Sequence, residues 1–269
     1  KAIEYFKKAA DQGQINAMYN LATMLHHGNG IKANKKEAAR YYKEAAEEGD
    51  VNSMYNYALM LQSGNGISKD TKKACKFFKK AAKKGNVNAM YKYALMRYKG
   101  SGCKKSHKKA FKYYKKAAKQ GHLNAMYSYA SMLYIGDGCP IRKRKSFAYF
   151  KKAAKQGHVD AMYSYAIRLY NGDGCPIRIR KACTYFKKAA EKGHVNAMYE
   201  YALRLYNGEG CSKKKSKSVE FFKKAAKKGN VDAMKDYAWM LYKGDHVKKD
   251  KKKAKKYFKK ASKKSKFLF

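Results

Sequence analysis

Apolar residues recur along this chain with the spacing of an amphipathic helix, in two kinds of segment that alternate throughout. In the first kind, Ala17, Leu21, Ala22 and Leu25 fall at i, i+4, i+5 and i+8, which places them on one face of a helix. In the second kind, alanines and aromatic residues such as Phe77 keep helical spacing between lysines. The pattern therefore predicts an all-α fold built from pairs of short helices.

The helix pairs return every 36 residues, and a glycine after each second segment marks the period: Gly13, Gly49, Gly85, Gly121, Gly157, Gly193 and Gly229. A strict period of this length is the sequence signature of a solenoid. We expect a single domain over residues 1–264, with a partial first repeat at 1–12 and seven repeats that start near these glycines. Residues 265–269 are expected to form a C-terminal stub or cap.

Polar residues and glycines between the segments predict where each helix begins and ends. The first helix of a repeat is expected to end at a Gly-x-Gly loop and to begin at an Asn or Asp that can act as N-cap. These N-cap candidates are Asn16, Asn52, Asn88, Asn124, Asp160, Asn196 and Asp232. The second helices are expected to begin near Asn34, Asp70, Ser106 and Asp250, whereas Arg142, Arg178 and Lys214 offer no cap, so those three starts should fray or shift.

The order of these residues resembles the Sel1-like repeat (SLR), a relative of the tetratricopeptide repeat. The similarity rests on the run from Ala17 to Ala22, the Gly-x-Gly loop with its following apolar residue, the pairs Tyr41-Tyr42 and Ala45-Ala46, and Gly49. It implies a right-handed α/α superhelical solenoid, with first helices on the concave side and second helices on the convex side. It also implies a scaffold or adaptor in multiprotein assemblies, so we expect no enzyme activity and no cofactor.

Charge divides between the two helices of a repeat. The chain has 64 Lys and Arg against 19 Asp and Glu, a net charge of +45, and nearly all of the excess lies in the second segments. We predict that a convex lysine surface meets an acidic protein surface, through Lys72, Lys76, Lys79, Lys80, Lys108, Lys112, Lys115, Lys116, Lys223 and Lys224. Non-specific binding of RNA or another anionic polymer is the alternative, and sequence-specific DNA binding is not expected because Lys predominates over Arg. A solvated face without any partner would show the same pattern.

The most varied columns of the repeat lie on the first helices and include apolar side chains. Such a stripe is typical of a groove that binds an extended peptide or a helix. The candidate concave residues are Met24, Met60, Leu95, Met96, Met132, Ile135, Ile167, Arg168, Leu203, Arg204, Trp239 and Met240, bordered by Tyr98, Tyr134, Tyr170, Tyr206 and Tyr242. We therefore predict a non-catalytic adaptor that binds protein partners, and a small-molecule ligand is not expected.

The six cysteines fall in two apolar columns of the repeat. Cys103, Cys139, Cys175 and Cys211 share one column, where successive repeats should hold equivalent atoms ~8–10 Å apart, beyond the ~7 Å that a disulfide allows between Cα atoms. Cys75 and Cys183 belong to the second column. We interpret all six as small buried hydrophobic residues in a reducing compartment, which favours the cytoplasm.

The sequence predicts neither a metal site nor a membrane-spanning helix. His122, His158 and His194 share a turn column and lack the spacing of zinc ligands, so we expect them to be exposed polar turn residues. No apolar run approaches the ~18–20 residues of a membrane span. The chain starts at a lysine inside a helical pattern, from which we expect it to be part of a longer protein.

Overall fold

The computed structural model describes residues 2–266, and these residues form fifteen α-helices. Their bounds are α1 Ala2–Asp11, α2 Ile15–His27, α3 Lys35–Glu47, α4 Val51–Ser63, α5 Thr71–Lys83, α6 Val87–Lys99, α7 His107–Lys119, α8 Leu123–Ile135, α9 Lys143–Lys155, α10 Val159–Asn171, α11 Ile179–Glu191, α12 Val195–Asn207, α13 Lys215–Lys227, α14 Val231–Lys243 and α15 Lys251–Lys266. No strand occurs among these residues. The predicted all-α class and the helix-pair repeat are therefore confirmed.

The chain packs as two compact units, Lys1–Ile141 and Arg142–Phe269. Within each unit, every helix packs against the helix before it and the helix after it in the sequence. The first unit contains α1 to α8, and the second contains α9 to α15. A single domain over residues 1–264 stays a prediction, and residues 267–269 of the expected C-terminal stub lie outside the described part of the chain.

The core of the repeats is built from buried alanines and aromatic rings. The central alanine column of the first helices is fully buried in all seven repeats: Ala22, Ala58, Ala94, Ala130, Ala166, Ala202 and Ala238. Phe78 and Phe222 are buried on second helices, and the rings of Tyr55 and Tyr199 pack against them with centroids 5.8 and 5.9 Å apart. Burying one such ring stabilises the fold by about 1.5–3 kcal/mol.

Glycine is required at the loop that follows each first helix. Gly100 has φ +75° and its N–H donates to the carbonyl of Met96, which ends α6 as a left-handed C-cap. Two residues later, a Cβ on Gly102 would lie 2.0 Å from the carbonyl oxygen of Thr71 in the preceding repeat. The Gly-x-Gly loop therefore ends one helix and lets the chain approach the preceding repeat closely.

The second helices begin where the sequence predicts, including those without a cap. Asn34, Asp70 and Ser106 each accept a hydrogen bond from the backbone N–H three residues ahead. Arg178 and Lys214 make no such bond, yet α11 and α13 begin immediately after them, in the same register. α9 likewise begins immediately after the uncapped Arg142. The expected shift of these starts is wrong, because packing of the buried face holds the helix when the cap is missing.

The N-caps of the first helices lie two residues earlier than predicted. The capping column is Gln14, Asp50, Asn86, His122, His158, His194 and Asn230, and all but Gln14 accept a side-chain hydrogen bond from the helix. The reason lies in the preceding turn, where the N–H of Asp50 donates to the carbonyl of Ala45 at 2.9 Å. That bond closes the second helix at Asp50, so α4 begins with the next residue and Asn52 lies exposed inside its first turn.

Candidate protein-binding surface

Methionines of the predicted groove column lie in the core. Met60, Met96, Met132 and Met240 are 1%, 2%, 3% and 7% exposed, and Met24 is half-buried. On a helix, Met96 lies three residues after Tyr93 and one before Arg97, both of which are buried. The buried face therefore extends round to this column, and the expectation that Met60, Met96, Met132 and Met240 are exposed is corrected, whereas Met24 still reaches the surface.

Two arginines occupy the same column in the second unit and are held by rings and carboxylates. Arg204 is 6% exposed, its guanidinium lies 4.1 Å from the ring centroid of Tyr170, and it pairs with Glu200 at 3.1 Å. Burial raises the pKa of Glu200, while the charge of Arg204 opposes that rise. Arg168 lies 4.3 Å from the centroid of Phe150 and donates to the carbonyl of Ser164 at 2.8 Å. Both predicted contact residues thus have structural partners within the second unit.

The remaining predicted groove residues reach the surface. In the first unit, Leu95 is half-buried and Ile135 is 61% exposed. In the second unit, Ile167 and Leu203 are half-buried and Trp239 is 52% exposed. We use the name first-helix stripe for these five residues, taken separately in each unit. A partner could contact these predicted apolar side chains without any rearrangement of the fold.

Trp239 and Leu203 line a cavity of about 320 Å³ in the second unit. The indole packs edge-on against Phe258, with centroids 5.4 Å apart, and against Tyr242 at 5.8 Å. The lining also includes Tyr206, Asn207, Phe222, Asp236, Met240, Lys243 and Asp245. We call this space the Trp239 cavity.

Carboxylates distinguish the Trp239 cavity from the strongly basic composition of the chain. Asp236 is half-buried and accepts a hydrogen bond from the hydroxyl of Tyr199 at 3.1 Å. Burial raises the pKa of Asp236, and the hydrogen bond from Tyr199 opposes the rise. Asp245 accepts from the hydroxyl of Tyr206 at 2.7 Å. The cavity can therefore receive an apolar group on Trp239 together with a hydrogen-bond donor or cation at its acidic wall.

The tyrosines expected to border the groove connect successive repeats. The hydroxyl of Tyr170 donates to Glu209 at 3.1 Å, and that of Tyr206 donates to Asp245, an acidic residue in the equivalent loop. Sequence reasoning missed this link. The signal was an acidic residue directly after the first loop glycine of the later repeats: Asp137, Asp173, Glu209 and Asp245.

The lysines predicted to face an acidic partner are solvent-exposed on the second helices, except for the half-exposed Lys115. Several of them lie over aromatic rings that the sequence analysis did not assign to this face. The ammonium of Lys80 is 5.3 Å from the centroid of Phe77, and Lys224 lies 5.2 Å from that of Phe221. Lys116 lies 5.7 Å from the ring of Tyr113 in the same way. This lysine face therefore combines exposed ammonium groups with partly covered rings.

The histidines of the turn column are half-buried N-caps and not exposed turn residues. The Nδ1 atoms of His122, His158 and His194 accept from the backbone N–H of the third residue ahead, at 3.1, 3.2 and 3.0 Å. Burial lowers the pKa of all three imidazoles. The prediction failed because the helix start was placed two residues too late, which left these positions in the turn.

Comparison with known proteins places the repeats in a family. The Sel1 repeat model matches residues 1–14, 15–50, 51–86, 87–122, 123–158, 159–194, 195–230 and 231–266. Comparison with curated protein sequences gives no match. Among the residues that the structure describes, no helix is both long and apolar enough to cross a lipid bilayer.

Two solved structures are similar over nearly the whole chain. One is c5321, a protective antigen of uropathogenic Escherichia coli with an SLR fold, which is 26% identical with a TM-score of 0.91 over 98% of this chain. This chain spans only 56% of the length of c5321. The other is a Sel1 repeat protein from Oxalobacter formigenes, which is 28% identical with a TM-score of 0.77, over 97% of this chain and 76% of that one. The chain belongs to the Sel1 repeat family.

Proposed function

We propose that this chain is a non-catalytic scaffold that binds a segment of a partner protein on its first helices, with the Trp239 cavity as the anchor point. Sel1 repeat proteins generally act as scaffolds for protein–protein interaction. The observation that carries the proposal is the half-exposed indole of Trp239 above a cavity of about 320 Å³. Exposed tryptophans in pockets are among the residues that contribute most to binding free energy.

The chemistry of the cavity defines the segment that would fit it. Leu203 and Trp239 supply an apolar part of the lining, and Asp236 and Asp245 supply carboxylates. A partner segment that has an apolar residue next to an Arg or Lys would contact both the apolar lining and the carboxylates. An acidic segment would meet two carboxylates at this site and is expected to bind poorly.

Selection of peptides from a random library tests this proposal. Peptides enriched on the unmodified chain should carry an apolar residue next to a basic one. Trp239 is the sole tryptophan of the chain, so its emission should shift when such a peptide binds. Leu203→Ser, which keeps this reporter, should lower the affinity for such a peptide by about tenfold or more. This corresponds to a loss of about 1.4 kcal/mol or more of binding free energy.

Ile177→Ser is the matched control, because Ile177 is an exposed apolar residue of the second unit that does not line the Trp239 cavity. It should leave the affinity of the selected peptides unchanged. Equal binding to the unmodified chain, to Leu203→Ser and to Trp239→Ser would rule out the Trp239 cavity as the anchor.

A second candidate function is attachment of the complex to an acidic protein surface through the lysine face. The exposed ammonium groups over Phe77, Tyr113 and Phe221 favour it. We expect polyglutamate to bind with an affinity that falls as salt rises, because released counterions drive such binding. Reversing the charge of Lys76 and Lys80 should weaken it. A slope of log K against log salt near zero would exclude this function, and preference for RNA homopolymer over polyglutamate would favour the anionic-polymer alternative. The cytoplasmic location stays a prediction.

A further inference from the structure

The two cysteine columns of the repeat meet each other across neighbouring repeats. Cys75 lies on α5 and Cys103 in the loop after α6, and both side chains line the same cavity. Cys183 on α11 and Cys211, in the loop after α12, line a second cavity in the same way. In the part of the chain that the structure describes, none of the six cysteines forms a disulfide. The expected spacing of ~8–10 Å excludes disulfides within one column, whereas each of these two pairs joins one column to the other.

The other repeats show what occupies these positions when the helix column has no cysteine. In the first unit, Ala39 and Ile67 take the two places and line a shared cavity. Phe147 takes the helix position opposite Cys175, whose thiol donates to the carbonyl of Arg168 at 3.5 Å. Cys139 donates to the carbonyl of Met132 at 3.6 Å. Helix cysteines therefore occur where the facing loop residue is also a cysteine, and the pairing arises twice.

Each thiol pair lies in an open, cationic cavity. Cys75 and Cys103 line a space of about 520 Å³, and Cys183 and Cys211 line one of about 340 Å³. The first space is lined by Lys72, Lys76, Lys79, Lys104 and Arg97, and the second by Lys187, Lys214 and Lys217. These cations would attract an anionic reagent.

The two thiols of a pair differ in accessibility. Cys75 is 5% exposed and Cys183 is 3% exposed, whereas Cys103 and Cys211 on the loops are half-buried. Burial, together with the facing thiol of Cys103, raises the pKa of Cys75 to about 12. The loop cysteine of each pair is therefore the first to react with a reagent from solution.

We propose that Cys75–Cys103 and Cys183–Cys211 are two dithiol modification sites that an anionic low-molecular-weight disulfide, of the glutathione class, oxidises to intramolecular disulfides. In the first step, the Cys103 thiolate attacks one sulfur of the reagent, and the other leaves as a thiolate. The resulting mixed disulfide is then attacked at the Cys103 sulfur by Cys75, which loses its proton, and the second reagent sulfur leaves. Two reagent thiols form for each protein disulfide, so the reagent is reduced and the cysteine pair is oxidised.

Each bridge would fasten the second helix of one repeat to the loop of the next. Because neighbouring repeats in such arrays are joined by nearest-neighbour contacts, a covalent link at this point restrains that interface directly. The inference does not depend on the proposed partner site, since neither pair lines the Trp239 cavity.

The test is to equilibrate the reduced chain with mixtures of reduced and oxidised glutathione, quench with acid, alkylate the remaining thiols and map the peptides by mass spectrometry. We expect Cys75 joined to Cys103 and Cys183 joined to Cys211, with Cys139 and Cys175 unlinked. A map with only glutathione adducts on the loop cysteines, or with links between loop cysteines, would overturn the proposal.

Variants that copy other repeats of the same chain provide the controls. Cys75→Ala reproduces the residue at Ala39, and Cys103→Ile reproduces Ile67, so both substitutions occur naturally at these positions of the repeat. Cys75→Ala should leave Cys103 as a stable glutathione adduct while Cys183–Cys211 still forms. Cys139→Ser should leave both bridges intact. Bridge formation by Cys103 in the Cys75→Ala chain with another cysteine, at the yield of the unmodified chain, would show that the pairing is not specific.

Discussion

The imidazole of His194 stacks on the ring of Tyr163 in the preceding repeat, with centroids 4.4 Å apart and an interplanar angle of 25°. His194 is also the N-cap of α12, because its Nδ1 accepts from the N–H of Ala197 at 3.0 Å. His122 has the same arrangement on Tyr91, with centroids 4.5 Å apart. The acceptor role of Nδ1 requires a neutral ring, since a protonated imidazole has only donors.

We expect the free energy of unfolding to fall below about pH 6.5 because of this histidine column. Burial holds the folded pKa of His122, His158 and His194 below the ordinary value of 6.5, with the charge of Lys92 adding to the effect at His122 and that of Asp160 opposing it at His158 and His194. Between the folded pKa and the ordinary value of 6.5, the unfolded chain therefore binds more protons than the folded chain. The stability that the three caps contribute above this window is lost as the pH falls through the folded pKa. Urea denaturation at pH 7.5 and pH 5 should show a loss of about 1 kcal/mol per cap.

Asparagine is the matched replacement, because Asn86 and Asn230 form the same cap in this chain. The triple variant His122→Asn, His158→Asn, His194→Asn should lose less stability between the two pH values than the unmodified chain. Equal pH dependence of the triple variant and the unmodified chain would contradict this account.

Arg178→Asp should stabilise the chain. Arg178 occupies the N-cap of α11 without a side-chain hydrogen bond, whereas Asp70 at the equivalent position accepts from the N–H of Lys73 at 2.8 Å. Adding this cap should raise the free energy of unfolding by about 0.5–2 kcal/mol. The reverse change, Asp70→Arg, should lower it by a similar amount in the same urea titration, and a destabilised Arg178→Asp chain would refute the prediction.

Gly102→Ala should destabilise the chain more than Gly121→Ala. Both glycines have positive φ, +68° and +92°, so an alanine is strained at either position. A Cβ at Gly102 would also meet the backbone oxygen of Thr71, while a Cβ at Gly121 has no atom within 4 Å. Gly121→Ala should cost about 1 kcal/mol, and Gly102→Ala about 1–3 kcal/mol more. Thermal unfolding of both variants checks the difference, and equal melting temperatures would count against a close approach at the loop.

Tyr206→Phe should weaken the contact between neighbouring repeats in the second unit. Its hydroxyl donates to Asp245 at 2.7 Å, and loss of such a partly exposed bond should cost about 0.5–1.5 kcal/mol in urea denaturation. Tyr242 occupies the equivalent position in the last described repeat, where no equivalent loop follows among residues 2–266. Tyr242→Phe should therefore change stability little, and an equal loss in both variants would show that the link to Asp245 is not the cause.

The helix starts show how far local rules reach. Gln14 and Asn16 both lie near the start of α2, and capping preferences favour Asn as the N-cap. The structure begins the helix after Gln14, because the N–H of Gln14 donates to the carbonyl of Ala9 at 3.0 Å and completes the preceding turn. The choice depends on a hydrogen bond to another helix, which the preferences of a single residue do not contain.

The sequence predicted only part of the candidate site, and the reason is similar. Trp239 and Ile135 are exposed, as the variation at their positions of the repeat predicted. Met96 and Met132, which were predicted to line the same groove, are buried. A helical period gives the angle of a side chain around its own axis, whereas burial depends on how far the neighbouring helices extend around that axis. The Trp239 cavity combines residues of two repeats, such as Leu203 and Trp239, so no single repeat reveals it.

The sequence by itself determined the repeat, the two helices in each copy and the placement of the lysines on the second helices. These properties follow from spacing within 36 residues, which any one copy displays. Tertiary packing decided which side chains of successive copies come together: Tyr206 with Asp245, His194 with Tyr163, and Cys75 with Cys103 in one cavity. Such pairs lie about one period apart in the chain, and their contact depends on how helices of adjacent repeats pack, which the periodic pattern leaves open.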